Sequence, residues 1–216
     1  MNSLALRLYH FATSNSSWRI RWAIALKGIP CEFVTVDLAT GEQHSAAHLA
    51  RNPLGLVPVL EIIGDLDPYL GETVAILDWI DRHYPERPLF PADDWLRVKA
   101  HQLAQIINAD THPLQNRSTG AKHSSDPAER LAWNQYWIGR GLAAYEVMVA
   151  PHAKAFSLSD SPLYPDLFLI PMCRNALNNQ IDLSQFPIVQ GIYLRALASP
   201  EAQASAPERY VKTLPA

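Results

Sequence analysis

The fold is decided by residues 6–36, LRLYHFATSNSSWRIRWAIALKGIPCEFVTV. Residues 6–9 and 32–36 have the β-branched, aromatic and alternating character of short strands. Between them, residues 17–27 carry apolar side chains at helical spacing, and Gly28 follows as a helix stop. The stretch therefore predicts a β-α-β unit of the kind that builds a parallel sheet.

The rest of the first 84 residues continues with short elements. Strands are predicted at 57–63 and 69–70, and helices at 45–51 and 72–83. The predicted order is β-α-β-α-β-β-α, which is an α/β unit.

Three prolines mark the end of this unit. Pro85, Pro88 and Pro91 fall within YPERPLFPADD, through which neither a helix nor a strand can run. The predicted parts are an α/β domain at 1–84, a linker at 85–91 and an all-helical domain at 92–216. Helical periodicity in the last part recurs at 95–118, 127–150, 165–180 and 188–198.

Charge and composition exclude several classes of protein. The 216 residues include 18 Lys and Arg against 21 Asp and Glu, without a basic block, so we expect no nucleic-acid surface. The longest apolar run, 167–173, falls short of the roughly 20 residues of a membrane helix, and the N-terminus lacks a signal-peptide core. We expect a cytoplasmic protein without membrane contact. Cys31 and Cys173 predict neither a disulfide framework nor a metal site.

The loop between the first strand and the first helix is rich in hydroxyl groups. Residues 12–17, ATSNSS, place these hydroxyls at a helix N-terminus, where free N–H groups and the positive end of the helix dipole favour an anion such as a thiolate. Helix capping is the other interpretation of the same serines.

Two further positions have the chemistry of a ligand site. If the Val57-Pro58 bond is cis, the backbone of Val57 can meet an extended ligand; if it is trans, Pro58 is only an edge feature of the sheet. Glu72 and Thr73 open a helix, where they can hold an ammonium and a carboxylate group or simply cap the helix.

Two motifs in the helical part are less informative. INADTHPLQNRS, which contains His112 and Pro113, is a polar insertion that predicts either a buried network or the wall of a site. Residues 139–144 fit G-x-G-x-x-A but lie within a helical pattern without a preceding strand, so a dinucleotide site is not expected.

Taken together, these segments resemble the cytosolic glutathione transferases of the zeta class, which includes maleylacetoacetate and maleylpyruvate isomerases. The resemblance covers nearly the whole chain. Its carriers are SWRIRWAIALKGIPCEF, GEQHSAAHLARNPLGLVPVLE, GETVAILDWIDRHYP, INADTHPLQNRS and NALNNQIDLSQFP.

The resemblance implies a thioredoxin-like N-terminal domain that holds glutathione and a helical domain that shapes the pocket for a small electrophilic second substrate. It also implies a homodimer. By position, Ser14 or Ser16 is the expected thiol-activating hydroxyl. The residues expected to contact glutathione are Asn15, Ser17, Trp18, Arg19, Gln43, Val57, Glu72, Thr73, His112 and Asn116. Those expected in the second-substrate pocket are Thr13, Arg117 and Arg174.

The implied activity is cis-trans isomerisation of an electron-poor, conjugated double bond through a glutathione thiolate. Conjugation or dehalogenation of a small electrophile is the alternative enzyme activity. A non-catalytic module that binds an apolar ligand or a protein partner is the alternative outside enzymes.

The chain departs from the zeta pattern at the residues that bear on the substrate. Ser16 replaces the motif cysteine, and Asn15 replaces the serine before it. Asn178 and Asn179 lie where the isomerases place an arginine. Thr13 lies where a bacterial maleylpyruvate isomerase can carry a second arginine. Because asparagine cannot supply the charge of a bidentate arginine, a doubly acidic substrate is not favoured unless Arg117 or Arg174 substitutes.

Overall fold

The computed structural model describes residues 5–211, which form two compact units. Residues 5–88 and 200–211 make up the first unit, and residues 89–199 the second. The first unit contains β1 (Leu6–His10), α1 (Asn15–Lys27), β2 (Glu32–Thr35), α2 (Ala46–Leu49), β3 (Val59–Ile62), β4 (Tyr69–Leu70), α3 (Thr73–His83) and α9 (Pro200–Ser205). The second unit contains α4 (Asp94–Asn108), α5 (Arg117–His123), α6 (Pro127–Val149), α7 (Tyr164–Asn178) and α8 (Pro187–Leu197).

The first unit is built on a four-stranded mixed sheet in the order β2-β1-β3-β4. Strands β1 and β2 are parallel, which confirms the predicted β-α-β start, and β3 runs antiparallel to both β1 and β4. The fold is therefore a thioredoxin-like α/β unit together with an all-helical unit, as the sequence predicts.

Helix α1 begins and ends on local signals that the sequence displays. Ser14 is its N-cap, and Gly28 adopts the left-handed conformation (φ 65°) that terminates it. From Ser17 to Ile24 every residue of α1 is buried, and the helix packs against both α3 and α9.

The chain's last described residues belong to the first unit, whereas the sequence-based division assigned them to the helical domain. Helix α9 packs on α1, and its Ser205 hydroxyl accepts a hydrogen bond from Trp18 Nε1 at 3.2 Å. The Ser205 carbonyl accepts another from Arg21 Nε at 2.9 Å. These buried polar groups of α1 need partners, and residues 200–211 supply them.

In the helical unit, the predicted helix at 95–118 is divided into α4 and α5. Helix α4 ends at Asn108, and the polar turn that follows is held by the Thr111 hydroxyl, which donates to the Ile106 carbonyl at 2.7 Å. Pro113 cannot continue a helical ladder, so the chain resumes helical structure only at Arg117. The other three predicted helices are confirmed as α6, α7 and α8, with ends within two residues.

One of the two glycines of the G-x-G-x-x-A sequence, Gly141, has a packing role in this unit. Gly141 is buried on α6, and a Cβ atom there would overlap the Thr111 hydroxyl and lie 3.1 Å from the Thr111 Cβ. At Gly139, such a Cβ would have no atom of the described residues within 4 Å apart from its chain neighbours and the backbone of its own helix. Only Gly141 is therefore required for the approach of the turn after α4 to α6.

We expect Gly141→Ala to lower the free energy of unfolding by about 1–3 kcal/mol, because the added methyl group overpacks the contact with Thr111. The matched variant Gly139→Ala should leave stability unchanged or raise it by up to about 1 kcal/mol, since alanine is the better helix former. Urea denaturation of both variants measures the difference. Equal effects of the two substitutions would contradict the packing role of Gly141.

The imidazole of His10 is buried at the end of β1 beside residues 200–211. Its ring is 5.0 Å from the Tyr210 ring and 5.6 Å from the Phe33 ring, both in edge arrangements. His10 Nδ1 lies 3.1 Å from Arg21 Nη1, and because a guanidinium only donates, Nδ1 accepts and the imidazole is neutral. Burial, reinforced by the charge of Arg21, lowers the pKa of His10 to about 4.

This lowered pKa predicts a loss of stability in mild acid. The unfolded chain binds a proton at His10 near pH 6.5, but the folded chain binds it only near pH 4, so stability falls as the pH drops through that window. Between pH 7 and pH 4.5 we expect His10 to remove about 2 kcal/mol.

The variant His10→Asn keeps an acceptor toward Arg21 but does not titrate, so it isolates the contribution of His10. A variant of this kind is needed because Asp166 also titrates in this pH range. Burial raises the pKa of Asp166 to about 6, so its contribution to stability increases as the pH falls. Denaturation of both proteins at several pH values measures the effect. Parallel pH profiles for the wild type and His10→Asn would refute it.

Candidate functional site

Ser14 stands at the junction between the β1–α1 loop and α1. Its Oγ accepts a hydrogen bond from the Ser17 N–H at 3.2 Å, and its own N–H donates to the Phe11 carbonyl at 3.2 Å. The side chain is half-buried. A hydroxyl that accepts through a lone pair still has its proton to donate. Capping and donation to a ligand are thus compatible at Ser14, although the sequence presented them as alternatives.

The N-terminus of α1 is suited to an anion. Asn15 and Ser16 form its first turn and are half-buried, whereas Thr13 just before it is exposed. That first turn contains no acidic residue to offset the positive end of the helix dipole. A negative charge placed near Ser14 is consequently favoured.

Three residues predicted to contact glutathione have side chains that lie in the core. Ser17, Trp18 and Arg19 are each at most 1% exposed. The Ser17 hydroxyl accepts from the Phe11 N–H at 3.2 Å, and Trp18 is bonded to Ser205 as described above. These side chains thus stabilise the loop and the helix, and contact of Ser17, Trp18 and Arg19 with glutathione stays a prediction.

Glu72 and Thr73 lie at the start of α3, and Arg19 connects them to α1. Glu72 has φ 59° and ψ 117°, a conformation that costs a residue with a side chain about 1–3 kcal/mol. Its exposed carboxylate makes no capping bond to α3. The buried Thr73 hydroxyl accepts from Arg19 Nη1 at 3.3 Å. The carboxylate of Glu72 is available to a cation, whereas the hydroxyl of Thr73 is held within the fold.

Gln43 carries a buried polar atom that the described part of the chain does not satisfy. It lies in a 3-10 turn, Glu42–His44, and its Oε1 is buried without a hydrogen-bond partner among residues 5–211. Gly55 lies close to this turn, since a Cβ atom there would be 3.1 Å from the Gln43 carbonyl. An unsatisfied buried acceptor is costly, so Gln43 Oε1 is a position at which a donor from outside the described residues would be stabilising.

The Val57-Pro58 peptide bond is cis, which confirms the first of the two predicted alternatives. The preceding carbonyl, that of Leu56, accepts hydrogen bonds from Asn52 Nδ2 at 3.1 Å and from His48 Nε2 at 3.0 Å. The Val57 side chain packs on the cluster around Val59. Within residues 5–211, no hydrogen bond involves the backbone N–H or C=O of Val57, so both groups remain for a ligand.

In the helical unit, the candidates His112, Asn116 and Arg117 lie on the turn between α4 and α5. His112 and Asn116 are half-buried, and Arg117 is exposed. Asn116 is the N-cap residue of α5, but its side chain makes no capping bond. The polar insertion is thus a turn whose candidate side chains lie just before α5 and at its first residue. It also contains a buried amide side chain, that of Gln115.

Of the two asparagines in place of the expected arginine, Asn179 belongs to an amide network at the end of α7. Asn179 Oδ1 accepts from Asn134 Nδ2 at 3.0 Å, and its carbonyl accepts from Gln135 Nε2 at 3.0 Å. Asn179 Nδ2 donates to the Asn175 carbonyl at 2.8 Å. Asn178 is exposed. Asn179 therefore joins α7 to α6. Two arginines were named as possible substitutes for the missing guanidinium: Arg174 is half-buried on α7, and Arg117 is exposed on α5.

The sequence interpretation did not include one residue behind the loop, Arg21. Its guanidinium is 1% exposed and donates to the Ala12 carbonyl at 2.8 Å and to the Phe11 carbonyl at 3.1 Å. The signal in the sequence is a pair of arginines in the otherwise apolar run RIRWAIAL, since a buried arginine needs several acceptors.

No metal centre and no membrane span are found among the described residues. In residues 5–211, no three His, Cys, Asp or Glu side chains come together as metal ligands would. The helices of that range are also too short or too polar to cross a bilayer.

Comparison with known proteins places this chain in a family. Residues 8–88 match the family model for the glutathione S-transferase N-terminal domain. A zeta-class glutathione S-transferase of Euphorbia esula is 35% identical over 213 residues, which is 96% of this chain and 92% of that protein. A maleylpyruvate isomerase of Ralstonia sp. is 34% identical and aligns over 87% of this chain and 90% of its own length.

Solved structures agree with the sequence comparison. The structure of a maleylacetoacetate isomerase from Anaeromyxobacter dehalogenans 2CP-1, with glutathione bound in its active site, superposes with a TM-score of 0.88. Its sequence identity is 37%, and the match covers 99% of this chain and 100% of that one. The chain described here belongs to the zeta class of the glutathione S-transferase family.

Proposed function

We propose that this chain is a glutathione-dependent enzyme that catalyses cis-trans isomerisation of a conjugated, electron-poor double bond in a small molecule. The observation that carries the proposal is the half-buried Ser14 hydroxyl at an N-terminus of α1 without acidic residues. The similarity to maleylpyruvate and maleylacetoacetate isomerases supports this reaction class.

The binding groups of the first unit fit glutathione. The unsatisfied Gln43 Oε1 is an acceptor for one of its N–H groups, and the N–H and C=O of Val57 match the peptide group of an extended ligand. The exposed Glu72 carboxylate matches the γ-glutamyl ammonium. The N-terminus of α3, which begins at Thr73, offers N–H donors to the γ-glutamyl carboxylate.

The chain's contribution to reactivity is to stabilise a negative charge beside Ser14. Glutathione supplies a thiolate nucleophile that adds reversibly to the double bond and is regenerated at the end of each turnover. A free thiol has a pKa of about 8.5, and each unit of depression requires about 1.4 kcal/mol. The Ser14 O–H donor together with the α1 N-terminus is expected to lower that pKa to roughly 6–7. Ser16, on the first turn, is the second candidate donor.

The second substrate and the assembly remain part of the proposal. Thr13, Arg117 and Arg174 are the candidates for contact with a small electrophilic substrate, and His112 and Asn116 are candidates for contact with glutathione. Family membership and a charged fraction of only 18% favour a cytoplasmic homodimer.

A second activity, conjugation or dehalogenation, is favoured by the amide network at the end of α7. Asn179 is engaged with Asn134, Gln135 and Asn175, and Asn178 carries no charge. This end of α7 therefore offers amides where an isomerase of a diacid would carry a guanidinium, which favours a less acidic substrate.

The two activities differ in whether glutathione is consumed. With maleylpyruvate or maleylacetoacetate as the test substrate, we expect turnover while the free thiol concentration, followed by thiol titration, stays constant. With an activated alkyl chloride, we expect much slower loss of thiol. Loss of one thiol per product molecule, with no isomerisation of either acid, would establish conjugation instead.

Ser14→Ala tests the proposed donor. Removal of a hydrogen bond to a developing or stabilised anion typically costs about 10²–10³-fold, so we expect kcat/KM to fall by that factor and its rising limb to move toward the pKa of the free thiol. Ser16→Ala should have a smaller effect. The measurements are the pH profile of kcat/KM and the ultraviolet titration of bound glutathione.

The control accounts for the loss of a helix cap. Ser14→Ala also removes an N-cap worth about 1 kcal/mol, and Asp126→Ala removes the N-cap of α6, where Oδ1 accepts from the Ala128 N–H at 2.9 Å. Asp126→Ala should reduce stability without changing the pH profile. A non-catalytic module would show no retention on immobilised glutathione and no change of activity in a Ser14→Ala/Ser16→Ala double variant.

A further inference from the structure

The guanidinium of Arg21 connects two parts of the first unit that are far apart in sequence. It donates to the carbonyls of Phe11 and Ala12 at 3.1 and 2.8 Å, and to the carbonyl of Ser205 at 2.9 Å. Arginine has its donors in a rigid planar fork, so several bonds from one side chain fix the relative positions of their acceptors. Arg21 thus ties the loop before α1 to the residues after α8.

The carbonyl of Phe11 is also the local support of Ser14. It accepts from the Ser14 N–H at 3.2 Å, while the Phe11 N–H donates to the Ser17 hydroxyl at 3.2 Å. Arg21 and Ser14 therefore donate to the same carbonyl oxygen. A movement of this peptide group would carry Ser14 with it.

Residues 205–210, which we call the C-terminal strap, complete the support. The guanidinium carbon of Arg21 lies 4.7 Å from the centre of the Tyr210 ring. That ring also makes edge contacts with His10 at 5.0 Å and with Phe33 at 5.4 Å. The strap therefore contacts Arg21 in two ways, through the Ser205 carbonyl and through the face of the Tyr210 ring.

We propose that Arg21 is a positioning residue for Ser14, and that the C-terminal strap sets the reactivity of the bound thiol by holding Arg21. The proposal rests on the proposed role of Ser14. Arg21 acts through the carbonyls of Phe11 and Ala12 and does not touch the ligand. A segment about 190 residues further along the chain thereby controls the geometry of the loop that carries Ser14.

The test uses Arg21→Lys and Tyr210→Leu in the full-length protein. Lysine keeps the charge but lacks the planar fork, and leucine removes the ring while leaving the bonds of the guanidinium in place. The controls are Tyr210→Phe, which keeps the ring, and Arg7→Met, which removes an arginine of the same unit that is bonded to Glu32 and Glu61 at the sheet.

The first measurement is hydrogen exchange of the amides of residues 11–18 without glutathione. We expect faster exchange in that segment for Arg21→Lys and Tyr210→Leu, and wild-type exchange in both controls. The second is the pH profile of kcat/KM. A misplaced donor is expected to reduce kcat/KM at pH 7 by about tenfold and to move the rising limb up by about one pH unit.

The outcomes separate this proposal from the proposed function. Faster exchange together with the shifted profile supports it, and Tyr210→Leu supplies the result if Arg21→Lys does not fold. Faster exchange with an unchanged profile, or unchanged exchange in a folded Arg21→Lys, overturns it. If the wild-type protein neither lowers the pKa of bound glutathione nor converts the test substrates, the proposed function fails. The proposed effect of Arg21 on reactivity then fails too, even if hydrogen exchange of residues 11–18 is faster in the variants.

Discussion

The first unit depends on the complete burial of α1 between Ser17 and Ile24. A helix that is buried along eight successive residues has no solvent-facing side, so its polar groups can find partners only inside the protein. Arg19 finds Thr73 at α3, and Trp18 and Arg21 find Ser205 at α9. The satisfaction of these groups brings the start of α3 and residues 200–211 to α1, and it fixes the loop that carries Ser14.

Much of this could be predicted from sequence, because the signals are local. The β-α-β start follows from alternating and helical patterns, and Gly28 has the left-handed conformation that ends α1. The cis bond at Val57-Pro58 is one of the two alternatives that the sequence allows. The division of the long helix after Asn108 was missed, because periodicity on either side hid the effect of the polar turn.

The candidate site was predicted from residue types, which do not indicate how deeply each side chain is buried. Ser14, Ser16 and Ser17 are equivalent in a sequence, yet Ser17 is fully buried and bonded to Phe11. Spacing along a helix tells which side chains share a face, but it does not tell whether another segment covers that face. The hydrogen-bond partner of Trp18 is Ser205, which is 187 positions away in the chain, so no local sequence pattern could predict this contact.

The return of residues 200–211 to the first unit makes the helical unit an insertion within a discontinuous domain. A chimera with a relative's helical unit would need two junctions, one near Pro88 and one near Ser199, since a single junction would exchange the partner of Arg21 along with the helices. The same arrangement bears on synthesis. During synthesis on the ribosome, Arg21 cannot bond to the Ser205 carbonyl until more than a hundred further residues have been made.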